Sequence, residues 1–401
     1  MSKKNRKWLV FTIMCLAYMP GSYAQYQLSV YASELIQSFG LTTSQFSSLF
    51  TAPMIVAIFL SFVGGMISDK VGSKKVINIS FVIAGIGMIG RVFANSYMPF
   101  FLCMALTGFS NMFVNINASK ITASWFEQEK LGILMGIFAF CGQLPGAFAT
   151  ATTAVLFDSR TSAFIVSAIF CISVFVLWLL FVKDKPEDTM EEREKIDQEN
   201  QPSIGDSLKV VLSNKGIWLV SICIMMALGS TVTLSTFMPM ALQTMYGIDL
   251  KVCGTIASML TLGNCIGSIT GPIVFSKIKN VKVFVSGAAV LSFAGIIMCW
   301  RFPSIFVLHI LVLYTGIVLG ASMPIFLSAP VLLEGLGTKY AGSAAGVIST
   351  LQLLGAVLIP TYILTPIAGE NYSLLFMLAS ICMVIMFLCG LLLPQFGNNQ
   401  K

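Results

Sequence analysis

The chain has 401 residues, of which 56% are hydrophobic and only 10% charged. A soluble domain carries about 25% charged residues, so this composition excludes an ordinary cytosolic enzyme, a disordered chain and a secreted disulfide scaffold. The net charge of +7 comes from basic residues in short loops, which reads as a topology signal of one polytopic membrane protein and not as a nucleic-acid surface.

Twelve stretches are long and apolar enough for a bilayer helix, which needs about 20 residues. The first, 8–32, follows a basic amino-terminal tail. Its Ser22-Tyr23-Ala24 imitates a signal-peptide cleavage site, but the spans that follow make it the first membrane helix. Next come 46–66, 76–94, 98–118, 131–156 and 163–182. The polar segment 183–215 holds nine acids, six bases, Pro186 and Pro202, and reads as a solvated linker with room for a short surface helix. Beyond it lie 216–242, 252–275, 283–300, 305–333, 340–367 and 372–393. The expected fold is an all-α membrane protein with twelve transmembrane helices in two pseudo-symmetric six-helix halves, 1–182 and 216–401, joined by the linker 183–215.

Orientation follows from the basic residues. With the amino terminus in the cytoplasm, twenty of the 24 Lys and Arg fall on the cytoplasmic side, leaving Arg91, Arg160, Lys251 and Arg301 outside. Both termini are then cytoplasmic. The halves also echo each other. Ala84-Gly85-Ile86-x-Met88-x-x-Arg91 returns as Ala294-Gly295-Ile296-x-Met298-x-x-Arg301 at an offset of 210. Gly132 and Gly136 match Gly342 and Gly346 at 210, Thr107-Gly108 matches Thr315-Gly316 at 208, and Gln143 matches Gln352 at 209.

The loop after the second span reads Gly64-Gly65-Met66-Ile67-Ser68-Asp69-Lys70-Val71-Gly72-Ser73-Lys74-Lys75. It resembles the signature G-x-x-x-D-[RK]-x-G-[RKx]-[RK] of the major facilitator superfamily. That resemblance implies two parallel six-helix repeats, and a cytoplasmic latch in which Gly65, Asp69, Lys70, Gly72 and Lys74 take part. The second-half copy, Gly271 to Lys277, lacks the acid. Within the superfamily, Tyr23-Ala24-Gln25-Tyr26, Asn117-Ala118-Ser119-Lys120 with Trp125-Phe126, Gly142-Gln143-Leu144, and Gly229-Ser230 with Leu234-Ser235-Thr236 resemble the feline leukaemia virus subgroup C receptor-related branch. That likeness implies choline-like solutes. The branch has a tryptophan where this chain has Tyr23. The region around Arg91 also resembles cyanate-permease-like bacterial members.

Carriers of this kind bind solute near the midplane between repeats. Tyr23, Tyr26 and Gln27 share one face of the first span and suit a cation or a flat solute, or else serve as interfacial and packing groups. Gln143 and Gln352 hold equivalent places in opposite halves and either face one cavity or bond between helices. Asn111 and Asn115 lie one turn apart in the fourth span, and Phe237 supplies an apolar wall or core. Arg91 and Arg301 either snorkel from the outer ends of their spans or attract an anion. Lys120 is a candidate for a structural or solute contact near the cytoplasmic end. His309, the single histidine, is a packed group or a proton sensor.

No Asp or Glu falls in the middle of any expected span, which favours facilitated diffusion, exchange or potential-driven uptake over proton coupling. The ten cysteines form no Cys-x-x-Cys pair and read as packing residues. No catalytic, metal or cofactor motif is present. The expected protein is therefore a monomeric alternating-access carrier in the cytoplasmic membrane, with a small-molecule substrate and the lipid bilayer as its partners and no nucleic acid. An organic cation or zwitterion is the first expectation. A small organic anion drawn by Arg91 and Arg301 is the second, and a transporter-like sensor that moves no solute is the third.

Overall fold

The computed structural model describes residues 3–126, 128–182, 204–333 and 336–395. The first seven helices are α1 (Lys3–Val30), the short α2 (Ala32–Phe39), α3 (Thr43–Val71), α4 (Ser73–Phe93), α5 (Tyr97–Trp125), α6 (Gln128–Leu156) and α7 (Arg160–Phe181). Then follow α8 (Ile204–Ser213), α9 (Lys215–Tyr246), α10 (Leu250–Ile278), α11 (Val281–Met298) and α12 (Ile305–Leu332). The helix α13 (Gly337–Leu358) continues through a π-helical stretch (Ile359–Leu364) into α14 (Thr365–Ala368), and α15 (Tyr372–Leu392) closes the chain. Helix starts carry side-chain caps. Thr42 and Gln45 bond each other reciprocally at α3, at 3.2 and 2.9 Å, and Asn280 and Asn371 cap α11 and α15. Such caps satisfy backbone N–H groups that lipid cannot.

Among the described residues, eleven helices are long and apolar enough to cross a membrane, against the twelve expected from the sequence. The missing one is α1. Its 28 residues give it the length, but Ser22, Gln25, Gln27 and Ser29 accompany its apolar residues. It packs against α5, α6 and α7, and a helix shielded by its neighbours tolerates polar groups that lipid would reject. Elsewhere large apolar side chains such as Phe59, Ile86, Phe93 and Leu180 stand exposed, as a lipid-facing surface requires.

The chain forms two compact units, Met1–Thr189 with Thr236–Ser258, and Met190–Ser235 with Met259–Lys401. The division runs along α9 and α10, so the end of α9 and the start of α10 are built into the first unit. There Phe237 packs edge-on to Phe46 at 5.9 Å, and Ser33 donates to Gln243 at 3.2 Å.

Burial corrects the register of the repeat. The buried face of α4 is Val76, Ile77, Ser80, Phe81, Ala84, Gly87, Met88 and Arg91. Adding 208 to each number gives Phe284, Val285, Ala288, Ala289, Ser292, Gly295, Ile296 and Cys299, all buried in or beside α11. Gly87 receives the backbone of α5 at Cys103, and Gly295 receives Thr315 of α12. The motif match at 210 is thus two residues out of phase: Met88 is buried but Met298 is exposed. In the structural register Arg91 corresponds to Cys299, and Arg301 has no buried counterpart.

In the second unit α10 and α12 meet backbone to backbone. Gly263, Gly267 and Gly271 of α10 face the carbonyls of Leu313, Ile317 and Ala321, while Gly316 and Gly320 of α12 face those of Leu260 and Asn264. Glycine at four-residue spacing removes the Cβ atoms that would hold the helices apart.

Candidate functional site

In the first unit the polar and aromatic residues converge on α1. Gly21 lies where α5 crosses, and a Cβ there would stand 2.5 Å from Asn111 Oδ1. The close approach lets the Asn111 amide sit 3.0 Å from Ser22 Oγ. On the side facing α6, Tyr18 stacks on Phe138 at 4.8 Å. Its ring lies where a side chain on Gly142 would be, and the Tyr26 ring lies 3.0 Å from a Cβ on Gly146. Tyr18 and Tyr26 are two turns apart on α1 while Gly142 and Gly146 are one turn apart on α6, so the glycines form seats for the two rings. Tyr26 also meets Phe50 edge-on at 5.5 Å, and the half-buried Tyr23 meets Phe170 at 6.2 Å.

Behind this face lies Arg91, which is 1% exposed. One guanidinium nitrogen donates to Ala24 O at 2.9 Å. The other donates to Gln27 Oε1 at 2.8 Å and to Ser167 Oγ. The guanidinium also lies over the Phe164 ring, 4.3 Å from its centroid. Gln27 passes the connection on, its amide N–H donating to Ala163 O at 3.2 Å. One charge therefore clamps α1, α4 and α7 together. Each hydrogen-bond acceptor is neutral, and among the described residues the Nε proton has no acceptor. Arg91 does not snorkel. Although it lies in the last turn of α4, its side chain is held by acceptors from α1 and α7.

The remaining candidates fall in different settings. Gln143, beside Gly142, is exposed, as is Asn115. Asn117 is buried, donating to Ser68 Oγ at 3.0 Å and Phe113 O at 2.8 Å. Phe237 is a core residue of the first unit. Gln352 is half-buried in α13 of the second unit. Arg301 is exposed beyond the end of α11, over Trp300 at 5.5 Å. His309 holds the Ile305 carbonyl at 2.8 Å through Nδ1, and Lys120 is exposed near the end of α5. Ser230 donates to Ala379 O at 2.9 Å, and Thr231 and Thr233 bond their own helix, so these three hydroxyls serve packing.

Of the expected latch, Gly72 makes the turn between α3 and α4 at φ +96°, a conformation that favours glycine. Its N–H donates to Ser68 O at 3.1 Å, and Lys74 is half-buried in the first turn of α4. Gly65 and the side chains of Asp69 and Lys70 lie outside the described residues. The residues that sequence reasoning missed are Ser167 and Phe164, which receive Arg91. They lie one turn apart on α7, but a serine and a phenylalanine in an apolar span carry no mark of their partner.

A family model described as the Major Facilitator Superfamily matches residues 10–360. The chain belongs to this superfamily. The family and the relatives below are transporters or membrane sensors, not enzymes. The probable sulfoacetate transporter SauU of Cupriavidus necator is 23% identical over 364 residues, covering 85% of this chain and 83% of that protein. A galacturonate transporter of Dickeya chrysanthemi is 22% identical over 309 residues, covering 74% and 90%. The membrane sensor protein UhpC of Salmonella typhimurium is 23% identical over 374 residues, covering 88% and 83%. Among solved structures, a bacterial homologue of the human lysosomal transporter Spinster, inward-facing and unoccupied, superposes with a TM-score of 0.77 at 13% identity. It covers 98% of this chain and 95% of that one, and the likeness concerns the fold.

Proposed function

We propose that the protein is an alternating-access carrier of a small organic anion in the cytoplasmic membrane, with both termini in the cytoplasm. The observation that carries this reading is Arg91. A buried guanidinium whose acceptors are all neutral costs several kcal/mol, and intramembrane charges that persist commonly mark a solute pathway. Arg91 supplies a positive potential from behind the face of Tyr23, Tyr26 and Gln27. The solute contacts in the first unit are then the tyrosines, Asn111 and Gln143. The named solutes of the transporter relatives, sulfoacetate and galacturonate, are acids, which supports an anion over the choline-like cation that the branch resemblance implied. Arg301, exposed and unmatched to Arg91 in the repeat, has a peripheral place in this scheme.

The test is counterflow in proteoliposomes with three solutes: a uronate, a short sulfonate and choline. Exchange of an acidic solute is expected, with Arg91→Gln abolishing it. Exchange of choline alone would overturn the anion reading. The likeness to a membrane sensor protein favours a second reading, in which the chain binds an acid without moving it. Binding with no counterflow of any bound solute would select that reading. Labelling of single cysteines placed in the 183–215 linker, from inside or outside intact cells, reads the orientation independently.

A further inference from the structure

An open cavity of about 800 Å3 lies in the second unit, where α8 meets α9 and where α11 starts and α12 and α15 end. Its construction is local and specific. Asn214 Oδ1 accepts the Gly216 N–H at 2.9 Å, setting Lys215 at the first position of α9. Gly216 carries no Cβ where Leu333 and Pro394 press in, so the ends of three helices converge. Trp218 turns its indole N–H onto the Leu212 carbonyl of α8 at 2.8 Å, which holds the ring at the mouth with 43% of its surface exposed. Gln395 donates to Lys279 O at 2.9 Å, tying the segment after α15 to the turn before α11, where Lys282 enters the lining.

The lining pairs two kinds of chemistry. Lys215 and Lys282 are exposed ammonium groups, and the one ion pair recorded among the described residues is Arg160 with Glu34, in the other unit. Leu219, Leu392 and Leu393 supply an apolar wall, and Leu392 is 70% exposed. Beside the cavity α8 turns Leu208, Val210 and Leu212 outward. Apolar groups exposed on a short helix in an otherwise polar segment suit a helix lying in a membrane interface. A free metabolite anion would use the ammonium groups alone. A lipid with a charged head uses both.

We propose that this cavity is a binding site for one anionic phospholipid of the leaflet on the linker side. The phosphate lies between Lys215 and Lys282, the glycerol backbone lies against the Trp218 indole, and one acyl chain follows Leu219 and Leu392 toward the hydrocarbon. Basic pockets between membrane helices hold lipid head groups by these means, and indole rings settle at the level of the head groups. The site lies wholly within the second unit and does not depend on the solute that the carrier moves.

The experiment uses the full chain in detergent, with native mass spectrometry after addition of phosphatidylglycerol or phosphatidylcholine of identical acyl chains. One tightly held phosphatidylglycerol is expected, retained in preference to phosphatidylcholine. Each lysine is expected to contribute about fivefold in affinity, so Lys215→Gln with Lys282→Gln weakens binding ~25-fold. The Lys215→Arg, Lys282→Arg pair keeps the charge and is expected to keep the lipid. Thermal unfolding of each variant without lipid separates loss of the site from loss of the fold. A brominated acyl chain is expected to quench the native protein more than Trp218→Phe, placing the chain beside that indole. Equal retention of the two lipids, or unaltered retention by the glutamine pair, would overturn the proposal. So would full displacement of the lipid by millimolar inorganic phosphate, which would make this a site for a free anion. Absence of binding in the native chain, restored by Glu191→Gln, Glu192→Gln and Glu194→Gln, would assign the lysines to the acidic linker and overturn it as well.

Discussion

Arg91 shows how one residue combines a structural and an electrostatic task. Its two terminal nitrogens reach Ala24 O, Gln27 Oε1 and Ser167 Oγ, and its plane covers Phe164. A lysine keeps the charge but offers a single nitrogen and no plane to stack. Arg91→Lys is therefore expected to lower stability by about 2 kcal/mol, the worth of a hydrogen bond to a charged group, measured by thermal unfolding in detergent. Ser167→Ala added to Arg91→Lys is expected to cost little more, because the two residues share one interaction. Additive losses would show that Ser167 acts elsewhere. The position of Arg91 in the sequence, close to a span end, suggested a side chain reaching out to water. Burial decided otherwise, because the acceptors come from α1 and α7, elements far away in the chain.

Glycine sets the contacts between elements. On α6 the missing Cβ of Gly142 is the seat of Tyr18. Gly142→Ala is expected to dislodge the ring and destabilise the protein by about 1–3 kcal/mol, the usual range for overpacking. Tyr18→Ala in the same chain is expected to recover part of the loss, and a thermal double-mutant cycle measures the coupling. On α10 the neighbour of Gly267 is the Ile317 carbonyl, which cannot rotate away. Gly267→Ala is expected to cost at least as much, with no side chain able to rescue it. By contrast a Cβ on Gly287 of α11 meets nothing within 4 Å. Gly287→Ala is expected to stabilise by up to about 1 kcal/mol through helix propensity. A loss there comparable to Gly267→Ala would refute this account of the packing.

At the scale of the whole molecule, the pattern of charge bears on energy coupling. Among the described residues outside the linker, acids such as Glu34 in α2 and Asp249 before α10 sit at helix ends and turns, and the single histidine holds a carbonyl of its own helix. Without a carboxylate inside a span to take up and release a proton, uptake is expected to change less than twofold when the pH gradient is removed at constant membrane potential. The readout is uptake of labelled solute into proteoliposomes, and a tenfold fall would require a proton relay. Composition and patterning alone determined the all-helical membrane class, because bilayer thickness and the cost of charge in lipid leave few alternatives, and the resemblance of the Gly64–Lys75 motif pointed to the superfamily that the family model shows. The phase of the repeat, the burial of Arg91 and the seating of Tyr18 and Tyr26 on glycines were decided by tertiary structure. Motif spacing reports helical phase only within one span, so a two-residue slip between repeats stays hidden until side chains pack. The partners of a buried charge are likewise brought together by helices distant in sequence, and no local pattern names them.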